Sequence, residues 1–352
     1  MDNSGQKSKP ITLEALGVIG TTIGIASLAF VFTAAWLTPH RLTPEKIVSA
    51  LKPPGGPALG HRRNHAKGIC FMGTFDANGA GSELSRSTLF ESGSYPVVGR
   101  FNIGNADPAT PDPMAQVRGL GVRIMAPTGQ EWRSAMIDAP VFVAPTPQAF
   151  LELLKAGASK DPNAIKQYSE HHPEMQTFAS WAKSHDRTES WTEDRFNSLD
   201  SFVFVSREGL RSTVRWSLVP MSKAVTIPTD ELAKRDPDFL QEDIVQRVQS
   251  KPQDWRLMVT VAGANDPTAD PTRAWPVDRP TVDVGILHVN QIQPEADGPC
   301  RDVSFDPTVL PKGIETSDDP FPAARSAAYR VSFNKRLEEA SQYPRTQPEG
   351  RP

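Results

Sequence analysis

Between Ala15 and Leu37 the chain runs for 23 residues, ALGVIGTTIGIASLAFVFTAAWL, without a charged side chain. A helix rises 1.5 Å per residue and the hydrocarbon core of a bilayer needs about 20 residues, so this run is long enough to span a membrane. The expected organisation is a tail over 1–14, a single-pass anchor over 15–37, and a body beyond it. A cleaved signal segment is the competing reading. Its apolar region ordinarily runs about 7–15 residues, and Thr33-Ala34-Ala35 makes only a fair cleavage site. Lys7 and Lys9 before the run are nearly matched by Arg41 and Lys46 after it, so charge does not orient the segment. No later stretch approaches this length, and everything after residue 40 is therefore expected on one side of the membrane.

Composition narrows what that body is. A formal net charge of −3, with 22% charged and 38% hydrophobic residues, excludes a polybasic nucleic-acid binder and a disordered tail. The 33 prolines in 352 residues argue against a helical bundle and for turns, short strands and ordered loops. Two cysteines, Cys70 and Cys300, exclude a disulfide framework, an iron–sulfur cluster and a cysteine zinc site. Cys70 is expected as a buried structural thiol, with a bridge to Cys300 as the alternative.

Thr43-Pro44-Glu45-Lys46 reads as a helix start, with the helix running to about Leu51 and closed by PPGGP; residues 38–60 are read as a tether. GICFMGTF, YPVVGRFNI and VRGLGVRIM are short, rich in β-branched and aromatic residues, and bounded by Gly, Asn, Asp and Pro, as strands are. Thr146-Pro147 opens a helix to about Ala156, and a second helical stretch covers Tyr168 to Lys183. Strands return at Ser201–Val205, Ser212–Val219, Arg256–Val261 and Val282–Val289, with a helix near Glu231–Ser250 between them. The expected fold over 61–345 is one continuous α+β domain on an antiparallel barrel or sheet.

Among His40, His61, His65, His171, His172, His185 and His288 there is no H-E-x-x-H motif and no histidine–cysteine pairing at zinc spacing. Glycine-rich dinucleotide loops, phosphate loops and the Gly-x-Ser-x-Gly elbow are also missing from the sequence. His171-His172 reads as solvated surface, His288 as a core or rim residue, and Trp132 as packing. Two clusters carry chemistry. One is Arg62-Arg63-Asn64-His65-Ala66-Lys67-Gly68, leading into an apolar strand. In the other, Arg325, Tyr329 and Arg336 share one helical face. By spacing alone these are a basic turn and a helix with exposed arginines.

HRRNHAKG followed by FMGTF resembles the distal-histidine segment of the haem catalases, and VVGRFNIG with VRGLGVRI is similar to that family's next two strands. Ala139-Pro140-Val141-Phe142, with Phe150, resembles its distal apolar segment. SFDPTVLPKGIETSDDPFPAARSAAYR, Ser304 to Arg330, resembles its run into the proximal tyrosine. The length and the N-terminal run look like the catalase-related peroxidases of bacteria. This resemblance implies a catalase-like antiparallel β-barrel with surrounding helices, holding ferric haem b. Tyr329 would be the axial ligand to the iron and His65 the distal acid/base. Arg325 would stand beside the tyrosine oxygen, where a cation at about 4 Å favours the phenolate by roughly 4 kcal/mol at an effective dielectric of 20. Arg62, Arg100 and Arg336 would hold the haem propionates through their guanidinium forks, and Phe142 and Phe150 would supply apolar walls.

The resemblance further implies reaction with hydrogen peroxide or an organic hydroperoxide through a ferryl intermediate. The catalases' distal asparagine aligns with Ile137, their serine after the Arg-Phe pair with Asn102, and the valine before the histidine with Asn64. These departures favour a peroxidase using an organic electron donor, with weak catalase activity. A small catalase, or a membrane-tethered haem-binding protein without turnover, are the alternatives. The body is expected in the bacterial periplasm, anchored in the inner membrane, as a homodimer or monomer.

Overall fold

The structure is a computed structural model that describes residues 12–33, 41–53 and 55–346. The expected tail up to residue 11, the anchor's end at Leu37, the cleavage motif beyond Thr33, and Pro54 of the closing PPGGP lie outside those residues. Two compact units divide at Thr43 and Pro44. The first holds helix α1 (Leu13–Thr33). Its mean hydropathy reaches 2.1, and none of its residues is buried within the protein. The hydroxyls of Thr21, Thr22 and Thr33 donate to carbonyls one turn back, on Gly17, Val18 and Ala29, which removes the polar groups that would oppose an apolar environment. By length and composition α1 is sufficient to cross a membrane, and a signal sequence meets the same test.

The second unit begins with α2 (Pro44–Ala50), followed by strands β1 (Gly68–Ala77), β2 (Gly93–Ile103), β3 (Arg118–Met125) and β4 (Glu131–Ile137). Helices α3 (Pro147–Gly157), α4 (Ala164–His171) and α5 (Met175–Ser184) come next. Then follow β5 (Arg187–Thr188), β6 (Phe196–Asn197), β7 (Phe202–Val205), β8 (Arg211–Pro220), β9 (Thr226–Ile227), α6 (Thr229–Leu232) and α7 (Phe239–Ser250). The chain finishes with β10 (Gln253–Val261), β11 (Thr281–Pro294), β12 (Ile314–Thr316) and α8 (Phe321–Glu338). The main sheet runs β10-β11-β1-β2-β3-β4-β6-β8, and β8 pairs back onto β10. Eight antiparallel strands thereby close into a barrel with no free edge. β7 and β12 extend from β8.

Alternation along the strands fills the barrel with rings. Phe71, Phe75, Phe101, Trp132, Trp191, Trp216 and Trp255 are all buried in one cluster. Each such ring is worth about 1.5–3 kcal/mol of transfer free energy, so the barrel is a packed scaffold. Trp132 packs edge-on against Trp216, with centroids 4.8 Å apart, as its packing role requires.

Three expectations are corrected. The helix over Tyr168–Lys183 is two helices, because Pro173 disfavours helical geometry at His172; Pro237 likewise separates α6 from α7. Within the expected tether, α2 packs against α8 and buries Ile47 and Val48. Cys70 and Cys300 are not free thiols but form a disulfide, with Cα atoms 5.4 Å apart. It ties β1 to the loop after β11, 230 positions away in sequence. That loop comes close because residue 298 is glycine: a Cβ there would lie 2.4 Å from Cys70 Sγ.

Candidate functional site

His65 sits in the turn that enters β1, with φ at +53°, the one non-glycine residue with positive φ among the described residues. A histidine holds that conformation only when its surroundings over-determine it. Here Asn64 Oδ1 accepts the His65 N–H at 2.9 Å. Arg100 Nη1 donates to the His65 carbonyl at 2.8 Å and Nη2 to the Ala66 carbonyl at 3.0 Å. Lys67 is clamped by Asp112 at 2.8 Å and Asp238 at 2.7 Å. Gly68 completes the turn, because a Cβ there would lie 2.3 Å from the Phe101 carbonyl oxygen.

The imidazole is fixed as firmly as its backbone. Asn102 Oδ1 lies 2.7 Å from Nδ1, which places the ring proton on Nδ1 and the lone pair on Nε2. Asn102 faces Gly119 across the β2–β3 ladder, and a Cβ on Gly119 would come within 2.3 Å of that Oδ1. Burial disfavours the imidazolium, and Arg100, Arg325 and Arg62 oppose it further. The hydrogen bond to Asn102 works the other way, and the pKa settles at about 4.

The second cluster lies on α8. Arg325 Nη2 donates to Tyr329 Oη at 3.1 Å and to the Ala135 carbonyl at 3.1 Å. Nη1 pairs with Asp200. Burial works against the Arg325 charge, but Asp200 and Tyr329 outweigh it, and its pKa is raised.

His65 and Tyr329 line a single cavity of about 220 Å³. A void of roughly 10–15 Å³ holds one water, so the space suits a large organic ring system. Arg62, Arg100, Arg325, Arg336, Phe142 and Phe150 line it too, so every residue expected at the site from the sequence is brought together. Phe142 packs on Phe150 at 5.3 Å and on Phe321 at 5.1 Å. Ile47 and Val48 of α2 add to the apolar wall. Ile137 occupies the wall directly across from Asn197 of β6. The Asn197 amide is spent on the carbonyls of Asp138 and Ala139, at 3.4 and 3.1 Å.

At the arginine end, Glu295 was not anticipated. It is 8% exposed and pairs with Arg100 at 2.6 Å and Arg62 at 3.3 Å. Burial raises its pKa, yet Arg100 and Arg62 pull it below the ordinary carboxylate value. Burial and mutual repulsion lower Arg62 to about 9. Burial lowers Arg336 to about 10, with Glu295 opposing and Arg100 adding to the shift. Arg336 Nε is buried without a hydrogen-bond partner. Such a cluster is short of negative charge and fits a buried dianion. With a phenol, an imidazole, aromatic walls and this cluster around one cavity, the residues fit a haem with its two carboxylates. Glu295 follows Pro294 at the end of β11, and no motif marks it. Asp200, which holds Arg325, is equally unmarked.

The family model described as Catalase matches residues 58–348. The chain is 32% identical over 328 residues to a catalase-related peroxidase of Synechococcus elongatus, covering 92% of this chain and 95% of that one. It is 30% identical over 298 residues to a catalase-related peroxidase of Mycolicibacterium paratuberculosis, covering 84% of this chain and 95% of that one. The solved structure of catalase A from Saccharomyces cerevisiae superposes with a TM-score of 0.71 at 19% identity, over 79% of this chain. The chain spans 62% of that yeast catalase's length.

Proposed function

The chain belongs to the catalase family, and from that premise we propose that it is a haem-dependent peroxidase reducing hydrogen peroxide or organic hydroperoxides with an organic donor. What carries the reading is one cavity that holds both a fixed, neutral His65 and Tyr329 with Arg325 on its oxygen. In this proposal Tyr329 would hold the iron of haem b, Phe142 and Phe150 would supply apolar walls for the ring, and the arginine end would take its carboxylates. When bound, haem supplies the redox centre at which the O–O bond of peroxide is cleaved.

The protein's part is proton movement and exclusion of water. His65 Nε2 accepts the proton of the nearer peroxide oxygen and returns it to the departing oxygen, which leaves as water or alcohol. Asn102 keeps Nδ1 protonated, so only Nε2 receives that proton. Ile137 gives a second peroxide no hydrogen bond, and Asn197 beside it has its amide engaged elsewhere. A second peroxide is therefore poorly held as a reductant, which supports an organic donor.

The disulfide and the apolar N-terminal helix support a periplasmic body anchored in the inner membrane, because disulfides persist in oxidising compartments.

The full-length chain in detergent, loaded with haem, is expected to consume peroxide with an organic dye as donor. Because the base is neutral His65, the rate falls as pH drops through its pKa, with a midpoint near 4. At pH 5 about nine-tenths of such a group is neutral, against about 3% for an ordinary histidine of pKa 6.5. Failure to use any organic donor, or an acid limb centred near 6.5, would contradict the reading.

A further inference from the structure

From Tyr329 a continuous run of covalent and hydrogen bonds leads into the barrel. Tyr329 Oη accepts from Arg325 Nη2 at 3.1 Å, and the same nitrogen donates to the Ala135 carbonyl at 3.1 Å. One residue back on β4, Ser134 Oγ accepts from Trp216 Nε1 at 3.0 Å. Successive strand residues point to opposite faces, so Ala135 lines the site cavity while Ser134 lines a small void inside the barrel. Trp216 stands against Trp132, Phe202 and Phe204, with ring centroids 4.8, 4.6 and 6.2 Å away. Among the described residues, the other buried indoles lack this connection. Trp255 Nε1 donates to the Asp194 carbonyl at 3.2 Å, and the Nε1 atoms of Trp132 and Trp191 are buried without a partner.

Resting on the haem reading of this site, we propose that Trp216 is a one-electron redox site, joined to Tyr329 through Arg325, Ala135 and Ser134, that stores an oxidising equivalent when no organic donor is at hand. Peroxide is the oxidant, and the bond that breaks is O–O. One electron then passes from the Trp216 indole to the haem, and no proton moves with it. The acceptor of the indole N–H is the hydroxyl of Ser134, too weak a base to take that proton, so the oxidised indole remains a cation. Burying a cation is costly, and the ring faces packed around Trp216 offset part of that cost. Trp216, Trp132, Phe202 and Phe204 are all buried, so a dissolved donor does not touch the stored charge. The electron returns along the same bonds. Two molecules of donor then supply the two electrons and two protons that restore the protein and complete the release of water.

The test is electron paramagnetic resonance on the full-length chain in detergent, loaded with haem, mixed with equimolar hydrogen peroxide without donor and frozen at once. The expected result is an organic radical whose spectrum narrows when the protein carries ring-deuterated tryptophan. Added organic donor abolishes it. Trp216→Phe keeps a ring in the barrel and loses the signal, whereas Trp191→Phe retains it. Ser134→Ala leaves every ring in place and weakens the signal, because Trp216 is then no longer bonded to β4. Should Trp216→Phe fail to fold, the labelled wild-type chain and Ser134→Ala still decide. A radical whose spectrum ignores the tryptophan label, one that persists in Trp216→Phe, or one at wild-type strength in Ser134→Ala would overturn the assignment. A loaded chain that reacts with peroxide and yields no radical would overturn it too, and leave the haem reading standing. A chain that takes up no haem would instead overturn that reading, and this inference with it.

Discussion

Tyr329→Phe is expected to lower peroxide consumption by about a thousandfold or more, equivalent to roughly 4 kcal/mol of transition-state stabilisation. Of the four tyrosines in the chain, Tyr329 is the one that lines the cavity. Its oxygen is addressed by Arg325, which is itself held by Asp200 and the Ala135 carbonyl. Phenylalanine keeps the ring and its volume, so α8 and the cavity wall are preserved. Only the oxygen is removed, so Arg325 loses that one partner and keeps Asp200 and the Ala135 carbonyl. Porphyrin binding through the arginine end and the aromatic walls persists in weakened form, while the absorbance spectrum of the loaded protein changes. A Tyr329→Phe protein with the wild-type spectrum and rate would remove this residue from the site.

His65→Ala is expected to cost about 10²–10⁴ in the rate of reaction with peroxide, the usual worth of a positioned acid/base group. Haemin affinity should stay within about threefold, because His65 supplies neither an apolar wall nor a cationic partner for the carboxylates. Alanine at a positive φ adds strain, but the Arg100 contacts to the carbonyls of residues 65 and 66 do not depend on the side chain. His65→Gln serves as a second variant that retains a polar group of similar reach. Stopped-flow mixing of the loaded protein with peroxide reads the effect. A loss below about tenfold in both variants would show that proton transfer is handled elsewhere.

The site was legible through the family resemblance rather than through local pattern. His65 lies within a run of basic residues leading into an apolar strand, and Arg325, Tyr329 and Arg336 share a helical face, but spacing alone reads these as a basic turn and a helix with exposed arginines; the resemblance to the haem catalases supplied their expected roles. Strands β1, β2 and β3 were legible because β-branched and aromatic residues are punctuated by Gly, Asn and Pro. β4 was missed: Glu131–Ile137 follows a Pro127-Thr128-Gly129 turn and alternates in burial, but its buried positions are Trp132, Ser134 and Met136 and its less buried ones include Ala135 and Ile137, so polarity does not mark the alternation. Glu295 was not legible, since a lone carboxylate after a strand reads as surface until the barrel closes and brings β1, β2 and β11 into register around it. The disulfide stood only as the alternative for the same reason: the sequence carries no distance between positions 70 and 300. α2 read as a tether because its short apolar stripe is meaningful only against α8. Asn102 was read as a departure from the family's serine, and the structure gives that departure a role, holding Nδ1 of His65.

The central claim is a site that draws both reducing equivalents of each turnover from an organic donor, and the most direct measurement is oxygen yield. Full-length, haem-loaded protein in detergent is mixed with hydrogen peroxide under an oxygen electrode, and dye oxidation is followed on the same sample with and without donor. With Ile137 at the position of the distal amide, the account predicts little oxygen without donor and strong dye oxidation with it. Vigorous oxygen release without donor, at a rate matching dye oxidation, would contradict it and make the protein a small catalase.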